Sequence, residues 1–197
     1  MVQIYPGVTI PPGVTISSAP PVTVGSLMFQ QSSLVTTTDT DPLSLGTGDY
    51  TVEFWYYYPM SIGNPAPDAC LFGKWNSSTS AYEYILQGSA TANKLEWVVS
   101  GSYTFKWTPT GDAWNHVAIV AQSGNVRIFL DGVPTFLVAQ TGPQPNNTGA
   151  PFSIGGRDNN NLSYSYFGNI TNLRIVPGQA VRMPGDSAGK PRTQPRR

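Results

Sequence analysis

The chain has 197 residues, 11 of them basic and 11 acidic, so its formal net charge is zero. Charged residues make up only 11 % and aromatics 12 %, with 20 glycines and 18 prolines, a balance that reads as all-β. No stretch keeps apolar residues at helical spacing, and no internal run approaches the ~20 apolar residues of a membrane helix, so a helical fold and membrane insertion are both excluded from the expectation.

Residues 1–24 carry no charge, and PGVTI occurs at 6–10 and again at 12–16. Prolines at 6, 11, 12, 20 and 21 exclude a helix and disfavour a central strand, while Val, Thr and Ile favour extended backbone. The stretch reads as an extended apolar arm without a core of its own. Its candidate partner-binding side chains are Ile4, Tyr5, Val8, Ile10, Val14 and Ile16. A disordered leader is the alternative, although such leaders are usually more charged. The start lacks the basic and apolar regions of a secretory signal, so the chain is expected to be made in a cytoplasm, a host cytoplasm if it is viral.

The globular part is expected over residues 25–181. LMFQQ and LVTTT read as short strands, and a loop of turn formers leads into YTVEFWYYYP at 50–59. There Tyr50, Val52, Phe54, Tyr56 and Tyr58 share one face and Glu53, Trp55 and Tyr57 the other. Both faces are aromatic, as in a strand covered on two sides. Further strands are CLFGKW (70–75), YEYILQG (82–88), KLEWVVS (94–100) and YTFKW (103–107). Cys70, the single cysteine, lies in an apolar run and reads as a buried structural thiol.

WNHVAIVAQSGNVRIFLDGV, from Trp114 to Val133, contains two β-prone runs joined at Ser123-Gly124-Asn125, and the second ends in Asp131-Gly132. Asp-Gly suits a type I′ turn, which needs positive φ at both central residues, so a three-stranded meander returning through VPTFLVA is expected. FSIGG (152–156) and FGNITNLRIV (167–176) complete about eleven to thirteen strands, too many for one open twisted sheet, so the form expected is a two-layer sandwich. Phe54, Trp114, Ile119, Ile128, Leu130 and Ile175 are the expected core. From Arg182 onward five basic residues face one acid, against six basic and ten acidic residues before it. Residues 182–197 thus form a basic arm behind an acidic body, with Lys190, Arg192, Arg196 and Arg197 as candidate attachment residues.

Three blocks, LGTGDYTVEFWYYYP (45–59), WNHVAIV with VRIFLDGV (114–133), and FSIGGRD with YFGNITNLRIVPGQAV (152–181), together resemble the laminin-G-like form of the concanavalin A-like lectin/glucanase jelly roll. The resemblance implies an all-β, two-sheet antiparallel jelly-roll sandwich, flanked here by extended N- and C-terminal arms. The ending LRIVPGQAV is similar to the form of this domain common in bacteriophage virion proteins, where a tyrosine often follows and Arg182 stands here.

Catalysis is not expected. The glucanase relatives carry Glu-x-Asp-x-Glu on a strand, and retaining chemistry needs two carboxyls ~5 Å apart. Here Phe54 and Trp55 follow Glu53, and the pair Asp39 and Asp41 lies in a threonine-rich loop. His116 is the only histidine, which rules out a multi-histidine metal site and reads as a ring hydrogen-bonded inside the sheet. No metal or cofactor is expected. Asp158 with Asn159, Asn160 and Asn161 offers oxygens of the kind calcium takes, but a solvated loop tip is the favoured reading.

Sugar sites set aromatic faces beside amide groups, and two segments have that mixture: Trp75, Asn76 and Tyr82, and the loop holding Arg157, Asn159, Asn160, Tyr164 and Tyr166. The sequence therefore yields two readings. The first is a non-enzymatic virion structural protein, a head decoration or cement protein. Its arms would hold it to a major capsid or other virion protein, or to further copies of itself. The second is a carbohydrate-binding adhesin module of a tail or fibre that recognises host glycans. Nucleic acid is not favoured as a partner, since four charges in a tail are a modest attraction.

Overall fold

In a computed structural model, the structure describes residues 15–17, 25–30, 33–39, 43–60, 66–76, 79–91, 93–99, 103–139, 149–157 and 162–180. The strands are β1 (Thr15–Ser17), β2 (Ser26–Phe29), β3 (Val35–Asp39), β4 (Tyr50–Tyr57), β5 (Cys70–Asn76), β6 (Ala81–Gly88) and β7 (Leu95–Val99). They continue as β8 (Tyr103–Trp107), β9 (Trp114–Gln122), β10 (Asn125–Leu130), β11 (Val133–Ala139), β12 (Pro151–Ile154) and β13 (Gly168–Pro177), with a 3-10 turn at Leu162–Tyr164. They form a seven-stranded sheet, β1-β2-β13-β4-β9-β10-β11, and a six-stranded sheet, β3-β12-β5-β6-β7-β8, with every strand pair antiparallel. The all-β two-sheet sandwich expected from the sequence is what the chain forms.

The meander is built as its turns dictate. Ser123-Gly124 and Asp131-Gly132 both take positive φ at successive residues, the geometry that suits a two-residue hairpin. The carboxylate of Asp131 also accepts a hydrogen bond from the His116 amide at 2.8 Å, which ties the second turn back to β9.

β4 has its inner face in the core, through Tyr50, Val52, Phe54 and Tyr56. Across the gap Phe54 meets Phe72 of β5 edge to face at 5.0 Å, and the Trp107 indole donates to the Tyr56 hydroxyl at 3.0 Å. Trp97 packs on both Tyr84 and Phe72. At one margin Phe105 of β8 touches Phe136 of β11, bringing an edge strand of each sheet together. Segment 43–45 is held against β5 and β6 by polar groups: Tyr84 Oη donates to the Leu43 carbonyl at 2.9 Å, Glu83 accepts the Leu45 amide at 2.6 Å, and buried Lys74 donates to Ser44 Oγ at 2.7 Å. Cys70, the single cysteine, is buried as a thiol.

Of the expected core, Phe54, Ile119 and Ile128 are fully buried, while Leu130 and Ile175 are only partly buried against it. Trp114 is a correction. Val117, Ile119 and Ala121 set the inward face of β9, and an even-numbered residue on the same regular strand points the other way. Trp114 is accordingly half-buried beside Tyr57 at 5.8 Å, outside the core cluster. In β13 the inward set passes from Ile170 to Leu173 and Ile175. A bulge between Thr171 and Arg174, with Asn172 at positive φ, makes that change of parity.

β1 falls within the stretch expected as the N-terminal arm and pairs with β2, Ile16 opposite Leu27. Ile4, Tyr5, Val8, Ile10 and Val14 lie outside the described residues, as do Lys190, Arg192, Arg196 and Arg197 of the C-terminal arm.

Two predictions follow from the core. Ile128→Ala is expected to cost about 2–5 kcal/mol, read as a lower melting temperature or denaturant midpoint, because it opens a cavity between packed sheets. An unchanged midpoint would contradict this register. The second concerns alkali. Burial pushes the phenols of Tyr56, Tyr84 and Tyr166 above their ordinary value of 10.0, so each favours the neutral folded state. That contribution is complete below the unfolded value and is lost as pH rises beyond it. Melting temperature is expected to hold to about pH 10 and to fall above it; a flat profile to higher pH would refute the assignment.

Candidate functional site

The two sugar-site candidates of the sequence meet in one cluster on the six-stranded sheet. Trp75 and Tyr82 are directly opposed across β5 and β6, just past a bulge at Lys74/Trp75. Their rings stack at 5.5 Å and 10°. Arg157 follows β12 after the pair Gly155-Gly156. Gly155 has φ +89, and a Cβ there would collide with the Phe29 ring, so glycine is required at the turn that aims Arg157. Ser153 Oγ donates to the Gly156 carbonyl at 2.8 Å and fixes the same turn.

The Arg157 guanidinium lies between two rings, 4.2 Å from the centroid of Trp75 and 3.8 Å from that of Tyr164. Tyr164 reaches it from the 3-10 turn at Leu162–Tyr164. Each such contact is worth about 0.5–2 kcal/mol, more as water is excluded, and Arg157 is only 7 % exposed. Its Nη2 donates to Gln87 Oε1 at 2.9 Å and to Asp68 Oδ1 at 3.2 Å. Gln87 Nε2 donates to Glu96 Oε1 at 2.9 Å, and Glu96 pairs with Lys106 at 3.2 Å. A polar row thus runs from Asp68 through Arg157 across β6, β7 and β8. Arg157 Nε is buried with no hydrogen-bond partner among the described residues.

This arrangement fixes two aromatic rings on one cation and a third, Tyr82, stacked on Trp75. The space between Trp75 and Tyr164 is filled by the guanidinium, so a ligand would meet the outward parts of half-buried Trp75, Tyr82 and Tyr164. The Asp68 carboxylate, with 54 % of its side chain exposed, stands at their margin as a hydrogen-bond acceptor. Asn76 is beside Trp75 on β5, and its Oδ1 accepts the Thr79 amide at 3.3 Å.

Tyr166 does not belong to the cluster, and its place among the candidate sugar residues is corrected. It is 1 % exposed, in the core, with its hydroxyl donating to the Tyr57 carbonyl at 2.8 Å. Two residues beyond Tyr164, it passes from the surface turn into the sandwich. Asn159 and Asn160 lie outside the described residues. Asp68 and Gln87 are site residues the sequence reading missed. Their link to Arg157 exists only through strand register, and no local motif marks it.

A second polar cluster sits on β4, β9 and β13. Glu53 Oε2 pairs with Arg174 Nη2 at 2.6 Å, and Glu53 Oε1 lies 3.1 Å from His116 Nε2. The His116 ring packs on Trp55 at 4.8 Å. His116 is buried and bonded within the sheet, as read from the sequence.

No curated protein matches the sequence of this chain. Its fold is similar to domain 4 of AbnA, a GH43 extracellular arabinanase from Geobacillus stearothermophilus, solved in complex with arabinotriose. The two share 18 % identity over 85 % of this chain and 77 % of that one, with a TM-score of 0.57. It is also similar to the binding domain of Paraclostridial Mosquitocidal Protein 1, at 12 % identity over 89 % of this chain and 44 % of that one, TM-score 0.63. A third likeness is to the receptor binding domain of botulinum neurotoxin C/D mosaic serotype, at 11 % identity over 86 % and 42 %, TM-score 0.64. The chain spans less than half the length of these toxin domains, and at such identities the likeness is one of fold. At the level of sequence, residues 29–180 match the family model of the concanavalin A-like lectin/glucanases superfamily, and the chain belongs to that family.

Proposed function

We propose that this protein is a non-catalytic carbohydrate-binding module whose site is the Trp75–Tyr82–Arg157–Tyr164 cluster. The observation that carries the reading is the Arg157 guanidinium held between Trp75 and Tyr164, which sets rigid aromatic surface beside the partly exposed carboxylate of Asp68. Sugars present C–H faces to aromatic rings and hydroxyls to carboxylates and amides, and a pre-ordered set of both lowers the entropic cost of binding. The carboxylates Glu53 and Glu83 support the non-catalytic part. The first is engaged by Arg174 and His116 and the second by Lys74 and the Leu45 amide, each on a different sheet.

The arabinotriose complex of the structurally similar arabinanase domain makes arabino-oligosaccharides the first ligands to try. A glycan array followed by calorimetric titration is expected to show binding that weakens about tenfold or more in Tyr164→Ala and Trp75→Ala, a loss of roughly 1.4 kcal/mol. Arg157→Lys keeps the charge but loses the planar stack, and should weaken binding too. Thr104→Ala, at an exposed position on β8, should not. Silence of the whole array, or equal affinity in the ring variants, would remove this reading.

A second reading is a virion structural role, as a head decoration or cement protein attached to capsid or other virion proteins through its arms. It is supported by the edge pairing of Thr15–Ser17 with β2 of the same chain, an extended mode that a strand can also use on a neighbour, and by the likeness of LRIVPGQAV to phage virion domains. Deleting residues 1–24 is then expected to leave a folded domain that no longer occupies particles. Deleting 183–197 should weaken occupancy most at high salt. Full occupancy by both truncated forms, counted by cryo-electron microscopy, would dismiss it.

A further inference from the structure

Among the described residues the seven-stranded sheet ends in β1 on one side and β11 on the other. An edge strand offers a row of unpaired amides and carbonyls to any passing strand, and proteins commonly blunt it with charge. β11 reads Val-Pro-Thr-Phe-Leu-Val-Ala, with no charge. Val133 is 62 % exposed, Leu137 59 % and Phe136 39 %, and among the described residues β11 pairs only with β10.

The opposite edge shows what this chain uses to cover a strand. There Thr15, Ile16 and Ser17 pair antiparallel with Met28, Leu27 and Ser26. Thr15 and Ile16 are the last two residues of the second PGVTI, at 12–16. The first PGVTI, at 6–10, is identical and carries the same local preference for extended pairing. Prolines at 6, 11 and 12 restrict it to a short strand, the kind found at edges. Residues 6–10 lie outside the described residues.

Reach decides which molecule can receive it. From Ile10 to Thr15 there are five Cα steps, at most about 18 Å of extended chain. β11 is six strand spacings from β1, or about 29 Å. The first repeat therefore cannot lie on β11 of its own chain while the second repeat forms β1.

We propose that residues 6–10 of one molecule add as a strand to the β11 edge of a second copy. Both partners are uncharged, so the contact desolvates no ion. It covers exposed Val133 and Leu137 with a segment rich in Val and Ile. Arm and edge are different surfaces, which makes the contact heterologous and able to propagate into a chain or close into a ring. It is a contact between copies of this chain alone, so it stands apart from the sugar site and is tested with no particle present.

Sedimentation velocity of the full chain should show self-association that grows with concentration. Deleting residues 1–11 should abolish it, and so should Leu137→Asp, with Val133→Lys as a second edge variant; circular dichroism and the melting temperature verify that each is folded. The decisive sample mixes the deletion variant, which keeps the edge, with an edge variant, which keeps the arm. Each alone should be a monomer, and together they should form a one-to-one complex. Association unchanged in either single variant, or no complex in the mixture, would overturn the proposal. So would a full chain that is monomeric at every concentration, an outcome that would leave the β11 edge to a different protein.

Discussion

Phe54 and Phe72 meet edge to face at 5.0 Å across the gap between the two sheets, and the rest of the sandwich is arranged around that meeting. Two sheets can lie face to face only if large inward side chains interlock at native density. Here the interlock is largely aromatic: Tyr56 and Trp107 are joined by a hydrogen bond, Trp97 lies on Phe72 and Tyr84, and Phe152 flanks Phe72. Burying so many phenol and indole groups demands partners for their polar atoms, and the hydrogen bonds of Tyr56, Tyr84 and Tyr166 supply them. Some of those bonds do further work. Tyr84 holds the Leu43 carbonyl, and Tyr166 holds β4 through the Tyr57 carbonyl.

The candidate site is a consequence of that framework. β5 and β6 are fixed by their inward residues, so Trp75 and Tyr82 are presented at the strand ends in a set register. β12 lies beside β5, and its exit turn through Gly155 brings Arg157 back over Trp75. The Gly155 amide bonded to the Leu71 carbonyl, and the Tyr166 amide bonded to the Gly155 carbonyl, bind this turn to both the sheet and the core. Tyr164 and Tyr166 divide the labour. One covers the guanidinium from the surface, and the other anchors the segment inside. The cluster is thus rigid for the same reason the core is.

The sequence alone determined the fold class and, from residue 25 onward, the succession of strands along the chain; the short strand Thr15–Ser17 it did not mark. The aromatic and β-branched run at 50–57, the positive-φ turns at Ser123-Gly124 and Asp131-Gly132, and the Gly- and Pro-rich spacing elsewhere are local signals, written in residues next to one another. It also placed His116 inside the sheet and Cys70 in the core, since a lone polar or thiol residue within an apolar strand has few other places to go. It named Trp75, Tyr82, Arg157 and Tyr164 from their chemistry, but as members of two separate segments.

Only the tertiary structure decided that those four residues are one site. Arg157 is 75 positions from Tyr82 in sequence, and their proximity depends on β12 pairing with β5 rather than with a sequential neighbour. The same holds for Gln87, Glu96 and Lys106, which form a row only once the register of β6, β7 and β8 is set. Parity along a strand was legible, yet its origin was not. One bulge in β13 changes which residues face inward, and the face of Trp114 follows from which β9 residues the core has taken. Local chemistry chooses strands and turns because it acts over a few residues. Partner and register are chosen by the total burial of two sheets, a quantity that no short window of sequence contains.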